Sequence, residues 1–210
     1  MRHSVPSHPV AIVSCHLEQP LRDDVWARFD ELQQRRLGGF DVIALMRPPD
    51  AAYGEDVERW LSRARAAARR GPFGLHTHWT SPTHARPSGS GDPAERVRTD
   101  VEWMRSQNLE PEYFCGCGWY TDDAVRHTVR ELGLLDCTER GGLPRPGVLP
   151  TTHSLGQLAR AVLGPLPEYV HAYFHDYDLL DPIRRRVLRT SLRALGHRRA
   201  QFDLSQAPAR

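Results

Sequence analysis

The stretch FGLHTHWTSPTH sets His76, His78 and His84 within nine positions, behind the short apolar run Pro72-Phe73-Gly74-Leu75. If that run is a β-strand, its period of two puts His76 and His78 on one face. Neutral imidazoles suit zinc and similar divalent ions. Three protein ligands with one position left for water is the arrangement of a catalytic metal site. His16 and Glu18, in CHLEQP, stand two apart where another apolar run ends. They can face the same side and either bind a metal together or act as a base and its orienting partner. In YVHAYFHDYD, alternation turns His171, Tyr173 and His175 to one face and Val170, Ala172 and Phe174 to the other. Polar residues at successive same-face positions of a buried strand mark a site more often than a packing face. Asp176 or Asp178, just after His175, can orient its ring and raise its basicity; Asp178 can instead only precede the next helix.

Each group also has a plain structural reading: solvated loop histidines, a salt-bridged strand end, a hydrogen-bonded core network, the last fitting His171 best. The stretch Cys115-Gly116-Cys117-Gly118-Trp119-Tyr120 is open in the same way. A lone CxC is weak support for structural zinc. Its glycines admit close approach of backbone or ligand, and Trp119 and Tyr120 offer a stacking platform for a sugar or similar ring. Trp79, beside the histidines, and Arg47, at the end of a strand, are further candidates for substrate contact.

The elements that must position these residues read as an alternation. Apolar runs at 10–15, 41–46, 73–78, 112–117, 134–138, 169–174 and 201–204 are expected strands. Between them lie amphipathic helices beginning near Asp23, Glu55, Asp92, Thr121, Ser154 and Asp181, the fourth expected to be capped by Thr121. Residues 1–9 read as a frayed tail, 139–150 as a loop, and 10–210 as one domain. Strands alternating with helices predict parallel pairing through right-handed crossovers, as an open doubly wound sheet or a barrel. The first strand–helix turn lacks G-x-G-x-x-G, which argues against a dinucleotide fold. The candidate residues all follow strand ends, which in a barrel share one face. A small, incomplete barrel is the preferred architecture.

Composition narrows the partners. The 210 residues suit one domain with a full core, and 40% hydrophobic with 26% charged residues describes an ordinary globular chain. A formal charge of +2, with no basic cluster interleaved with aromatics, argues against nucleic acid. All 28 basic residues are Arg, which excludes a lysine Schiff base or a P-loop lysine. No apolar run reaches the roughly 18 residues that cross a membrane, and the N-terminal stretch does not read as a signal peptide. The expectation is a cytoplasmic chain with four reduced cysteines.

In order, these pieces resemble the polysaccharide deacetylase (NodB-homology) superfamily of carbohydrate esterases, whose fold is a distorted seven-stranded β/α barrel. By order, CHLEQP at 15–20, HTHWTSPTH at 76–84, FCGCGWY at 114–120 and YFHDYD at 173–178 stand where that family carries its motifs. The resemblance implies a divalent metal cofactor, zinc first, with His76 as the first metal histidine and His175 as the general acid. The family's paired aspartates are replaced by His16-Leu17-Glu18, the expected second histidine position holds Thr80, and the family's arginine motif has no match. Position then suggests Glu18 as metal ligand and His16 as base.

The leading expectation is a metal-dependent hydrolase acting on an N-acylated sugar or related amide. His76, His78 or His84 with Glu18 or His16 would hold the ion, His16 or Glu18 would take the proton of water, and His175, oriented by Asp176, would protonate the leaving amine. Trp79, Trp119 and Tyr120 would stack on the substrate. Alternatives are a metal-dependent phosphoesterase or amidohydrolase using HTHW, a glycosidase with a second carboxylate facing Glu18, and a catalytically inactive barrel that binds carbohydrate or a protein partner.

Overall fold

The computed structural model describes residues 9–83, 86–88 and 91–203. Its elements, in chain order, are β1 (Val10–Leu17), α1 (Asp23–Arg35), β2 (Ile43–Met46), α2 (Val57–Arg70), β3 (Phe73–Thr77), α3 (Pro93–Ser106), β4 (Tyr113–Gly116), α4 (Asp123–Glu131), β5 (Leu135–Asp136), β6 (His153–Ser154), α5 (Leu155–Ala161), β7 (Tyr169–His175), α6 (Asp176–Leu180), α7 (Pro182–Gly196) and β8 (Ala200–Gln201). The strands pair in parallel in the order β5-β4-β3-β2-β1-β7-β6. The short β8 lies on the first two residues of β1, where β2 has not yet begun. The strand expected at 201–204 is therefore shifted, and Leu204 and the tail residues 1–8 lie outside the described residues.

The sheet curls into a distorted barrel, and both of its faces are apolar, as buried parallel strands require. Ala11, Val13, Cys15 and Leu17 of β1 pack outward into a layer with Phe29 of α1, Trp60 of α2 and Leu192 of α7. Ile12 points inward, into a second cluster with Ile43, Leu45, Tyr113, Leu135 and Tyr169. An irregular segment bridges the two ends of the sheet. Leu149 N donates to Asp136 O of β5 (2.8 Å) and Thr152 N donates to His171 O of β7 (2.9 Å). A stretch so rich in Gly and Pro reads as loop, yet its backbone groups serve as the missing staves.

Register decides which side chains meet at the mouth. His16 pairs with His175 across β1/β7, and His76 with Cys115 across β3/β4. Strand-end side chains of β1, β3, β4 and β7 therefore share one rim. Gly74 makes this possible deeper down, since a Cβ there would meet Tyr113 O at 2.4 Å. The helices start on side-chain caps at Asp56, Asp92, Ser154 and Asp181. The fourth differs from expectation: Asp122, not Thr121, caps α4 by accepting from Val125 N. The short α6 was also not expected. It begins directly at the exit of β7, where Asp178 folds back to accept from His175 N at 2.9 Å. Among the described residues, no helix is long and apolar enough to cross a membrane.

Candidate metal centre

His76 and His78 leave β3 with their rings fixed from behind. The Nδ1 of His76 contacts Cys115 O at 3.1 Å and that of His78 contacts Pro82 O at 2.9 Å. A carbonyl only accepts, so Nδ1 carries a proton in each ring, and Nε2 is the nitrogen whose lone pair the neutral imidazole can offer. Among the described residues both Nε2 atoms are buried without a hydrogen-bond partner, as is the Nε2 of His16. Buried polar atoms are nearly always paired, so three unpartnered imidazole nitrogens at one rim make this cluster the candidate site. A backbone carbonyl holding the distal nitrogen is also how metal-binding imidazoles are oriented.

Glu18 closes the cluster. Its Oε1 lies 3.8 Å from His76 Nε2 and 3.7 Å from His175 Nε2. Burial pushes the Glu18 carboxyl up, but the facing imidazoles of His76, His175 and His78 outweigh it and hold it below the usual carboxylate range. Burial lowers His78 to about 4. Burial, reinforced by His76, His175 and His171, takes His16 well below its ordinary value. Glu18 is thus favoured as a carboxylate while burial disfavours the protonated forms of His16 and His78, the direction that binding of a divalent cation requires. Ligand atoms of Glu18, His76, His78 and Cys117 all lie within 4.8 Å of one another, and those of His16, His76 and Cys115 form a second such group. These residues fit a divalent ion.

His16 stands at the centre of the mouth. Its ring centroid lies 4.7 Å from His76, 4.9 Å from His175 and 5.4 Å from Trp119, and it stacks on Tyr173 at 5.6 Å. His175 is the more accessible, with 20% of its side chain exposed. Its ring stacks on Tyr177 at 4.9 Å, and the Tyr177 hydroxyl meets its Nδ1 at 3.2 Å. Asp176 has another task. Its Oδ2 accepts from Gln19 N at 2.6 Å, tying the exit of β1 to α6, and burial raises it to about 6. Among the described contacts, Tyr177 and Asp178, not Asp176, hold His175.

The other expected residues divide similarly. Trp119 lies over His16 and Tyr173, with the Arg140 guanidinium 5.3 Å from its ring. Trp79 and Tyr120 pack edge to face behind the site, and Trp79 Nε1 donates to Cys117 O at 2.9 Å. Arg47 is 4% exposed and its donors are committed to Glu18 O, Pro48 O and both carboxylate oxygens of Glu55. It braces the strand end beneath Glu18. His84 lies outside the described residues. An open cavity of about 670 Å³ reaches the cluster, lined by Glu18, Arg22, Arg47, His78, Thr83 and Cys117.

No family model matches the sequence, and no curated protein matches it. Solved structures do match in shape. A Streptomyces lividans family 4 carbohydrate esterase in complex with acetate superposes with a TM-score of 0.59 at 13% identity, over 97% of this chain and 98% of that one. The polysaccharide deacetylase Bc1974 from Bacillus cereus gives 0.56 at 12% identity, over 96% of both chains. A mutant of BA3943, a family 4 pseudoenzyme with restored enzymatic activity, gives 0.60 at 10%, over 97% of this chain and 68% of that one. The fold is that of the polysaccharide deacetylases. Within this deacetylase-like barrel, reading the sequence missed the carbonyl latches on His76 and His78, Tyr177 behind His175, and the place of Cys117. The i, i+2 spacing of Cys115 and Cys117 is the sequence signal that pointed to the last.

Proposed function

We propose that this chain is a metal-dependent hydrolase of the deacetylase-like class, acting on an N-acylated sugar or a related amide. The observation that carries the reading is the convergence of the unpartnered Nε2 atoms of His76 and His78 with the Glu18 carboxylate at the barrel mouth. Glu18, His76 and His78 would hold a divalent ion, zinc being the first choice for imidazole-rich ligands. Once bound, the ion supplies Lewis acidity and lowers the pKa of nearby water.

The chain's own groups supply the proton traffic. His16 is kept neutral by burial, so its Nε2 is free to accept a proton from the attacking water. The carbon–nitrogen bond breaks as His175 Nε2 delivers a proton to the departing amine. The Glu18 charge 3.7 Å away favours the protonated form of His175 that this requires, opposing the burial that lowers it. The Tyr177 hydroxyl keeps that imidazole aimed, Asp178 holds the His175 backbone N–H, and the Trp119 ring lies 5.4 Å from that of His16.

A second reading, a barrel that binds ligand without turnover, is favoured by the depth of the site: His16, His76 and His78 are 2%, 1% and 6% exposed. One experiment separates the two. Metal content is measured on protein purified without a metal-binding tag, and acetate release is followed from N-acetylated sugars and small amides, with phosphoesters as a control panel. About one equivalent of zinc or cobalt with amide turnover supports the hydrolase. Metal with no turnover on any panel shifts the reading to binding, and phosphoester turnover alone moves the chemistry to phosphorus. No metal even at excess ion ends the mechanism above.

A further inference from the structure

The loop after β4 has a construction that the hydrolase reading does not use. Gly116 N donates to Thr138 Oγ1 at 2.9 Å, and the chain then makes one 3-10 turn at Cys117–Trp119. Gly118 and Trp119 both have positive φ, 64° and 59°. For a tryptophan this is a costly conformation that its surroundings must impose. No side chain fits at Gly116, where a Cβ would lie 2.2 Å from Tyr120 O and 2.9 Å from Trp79. Trp79 Nε1, donating to Cys117 O, holds the turn from below. The outcome of this strained, latched turn is that the Cys117 side chain lies beside Glu18, His76 and His78 and lines the open cavity.

We infer that Cys117 is a metal ligand, so that the ion is held by two imidazoles, one carboxylate and one thiolate. The inference rests on the metal reading above and sharpens it. The Nε2 atoms of His76 and His78, more than nine-tenths buried and unpartnered among the described residues, belong to the same close group of ligand atoms. The four ligand atoms lie within 4.8 Å of one another, and a tetrahedral zinc with ordinary bond lengths draws such atoms to about 3.3–3.8 Å. The competing trio of His16, His76 and Cys115 is weaker. His76 has one nitrogen free, since Cys115 O occupies the other, and that nitrogen faces Glu18. A thiolate makes the site soft and selects zinc or cobalt over magnesium, calcium or manganese. Four protein ligands also fill a tetrahedral shell. Glu18, the one partly exposed member of the set, is then the ligand placed to yield to an incoming group from the cavity.

Cobalt(II) is the probe. Titrated into metal-free protein, it gives a visible ligand-field band at any site and a near-ultraviolet sulfur-to-cobalt band only where a thiolate binds. The expected result is both bands in the parent and in Cys115→Ser. In Cys117→Ser the near-ultraviolet band is lost while the visible band remains. Zinc affinity in Cys117→Ser should fall by more than the roughly 10–100-fold that loss of an outer-shell partner costs. His76→Ala should abolish both bands. Circular dichroism and a thermal melt on each variant establish that it is folded. A near-ultraviolet band that survives Cys117→Ser, or a parent spectrum with only the visible band, overturns the thiolate ligand and leaves the metal reading standing. No cobalt spectrum in the folded parent overturns both.

Discussion

Histidines occupy two levels of the same barrel interior, and they are built differently. His171, on β7, is fully buried, and both its ring nitrogens are matched: Nε2 to Ser14 Oγ at 3.0 Å and Nδ1 to Leu149 O at 3.1 Å. It ties the irregular closing segment to β1. Nearer the mouth, His16, His76 and His78 are almost as buried, yet among the described residues each leaves Nε2 without a partner. Burial, residue type and strand position are shared, so none of them separates a structural histidine from a ligand-seeking one. The separating property is whether the second nitrogen is satisfied. A satisfied pair stabilises the barrel; an orphaned nitrogen costs folding free energy of about 1–3 kcal/mol, which persists where binding of a ligand offsets it.

The largest test of that contrast is to remove both β3 imidazoles. His76→Ala/His78→Ala should retain its fold and lose its metal, with activity falling at least about a thousandfold, the several kcal/mol that a bound ion contributes. Elemental analysis beside an acetate-release assay reads both. A double variant that keeps its metal would place the ion elsewhere, and the orphaned nitrogens would lose their meaning. Next in size is His175→Gln. Proton delivery by a positioned side chain contributes about 10²–10⁴-fold, so kcat should drop by that much while metal content stays at the parent value. A drop in metal content instead would make His175 a ligand and not an acid.

The lower level should respond in stability and not in chemistry. His171→Phe removes both hydrogen bonds and strands Ser14 and Leu149 O, at a cost of about 2–4 kcal/mol by denaturant unfolding at pH 7. Its pH dependence has a definite sign. Burial lowers His171 to about 4, below the ordinary 6.5, so between pH 4 and 6.5 the unfolded chain binds the extra proton. Its contribution to stability is present above pH 6.5 and is lost as pH falls towards 4, by about 3 kcal/mol. Asp100 and Asp176, raised by burial to about 6, act oppositely and stabilise the fold as pH falls through 6. The term is therefore read as the difference between parent and His171→Phe across pH 4–7. Equal slopes in the two would mean that His171 titrates normally.

How much of this was legible follows from the range of each interaction. The same-face pairs His76/His78 and His171/Tyr173/His175 came from strand period alone, which is local. That His16 and Glu18 would join them required only the parallel barrel, which the alternation of strands and helices implied. The latches were not legible. Nothing local says that Pro82 O caps His78, or that Glu55 occupies Arg47, because those contacts depend on how loops fold back. The α6 helix escaped because five residues carry no periodicity, and its cap comes from a residue inside it. Cys117 was half legible: the CxC spacing placed it, but the turn that positions it depends on Trp79 and Thr138, from the segments that follow β3 and β5.

The smallest effect tests that lesson at the helix following the Cys117 turn. Thr121 and Asp122 are both good capping residues, and sequence favoured the first. In the structure Asp122 Oδ1 accepts from Val125 N at 2.8 Å and its Oδ2 accepts from the Tyr120 hydroxyl at 2.7 Å, while Thr121 Oγ1 has no hydrogen-bond partner among the described residues. Those two bonds hold Asp122 below the usual carboxylate range, Val125 N contributing most. Asp122→Ala should therefore cost about 1 kcal/mol, within the 0.5–2 kcal/mol range of cap removal, and Thr121→Ala should lie within about 0.5 kcal/mol of the parent. Neither should alter metal content, because the cap supports α4 while Trp79 and Thr138 hold the Cys117 turn. Thr121→Ala as the more damaging change would restore the cap that local sequence favoured. Lost metal in Asp122→Ala would instead couple this outer helix to the mouth, and the separation between structural and ligand-seeking groups would then reach no further than the histidines.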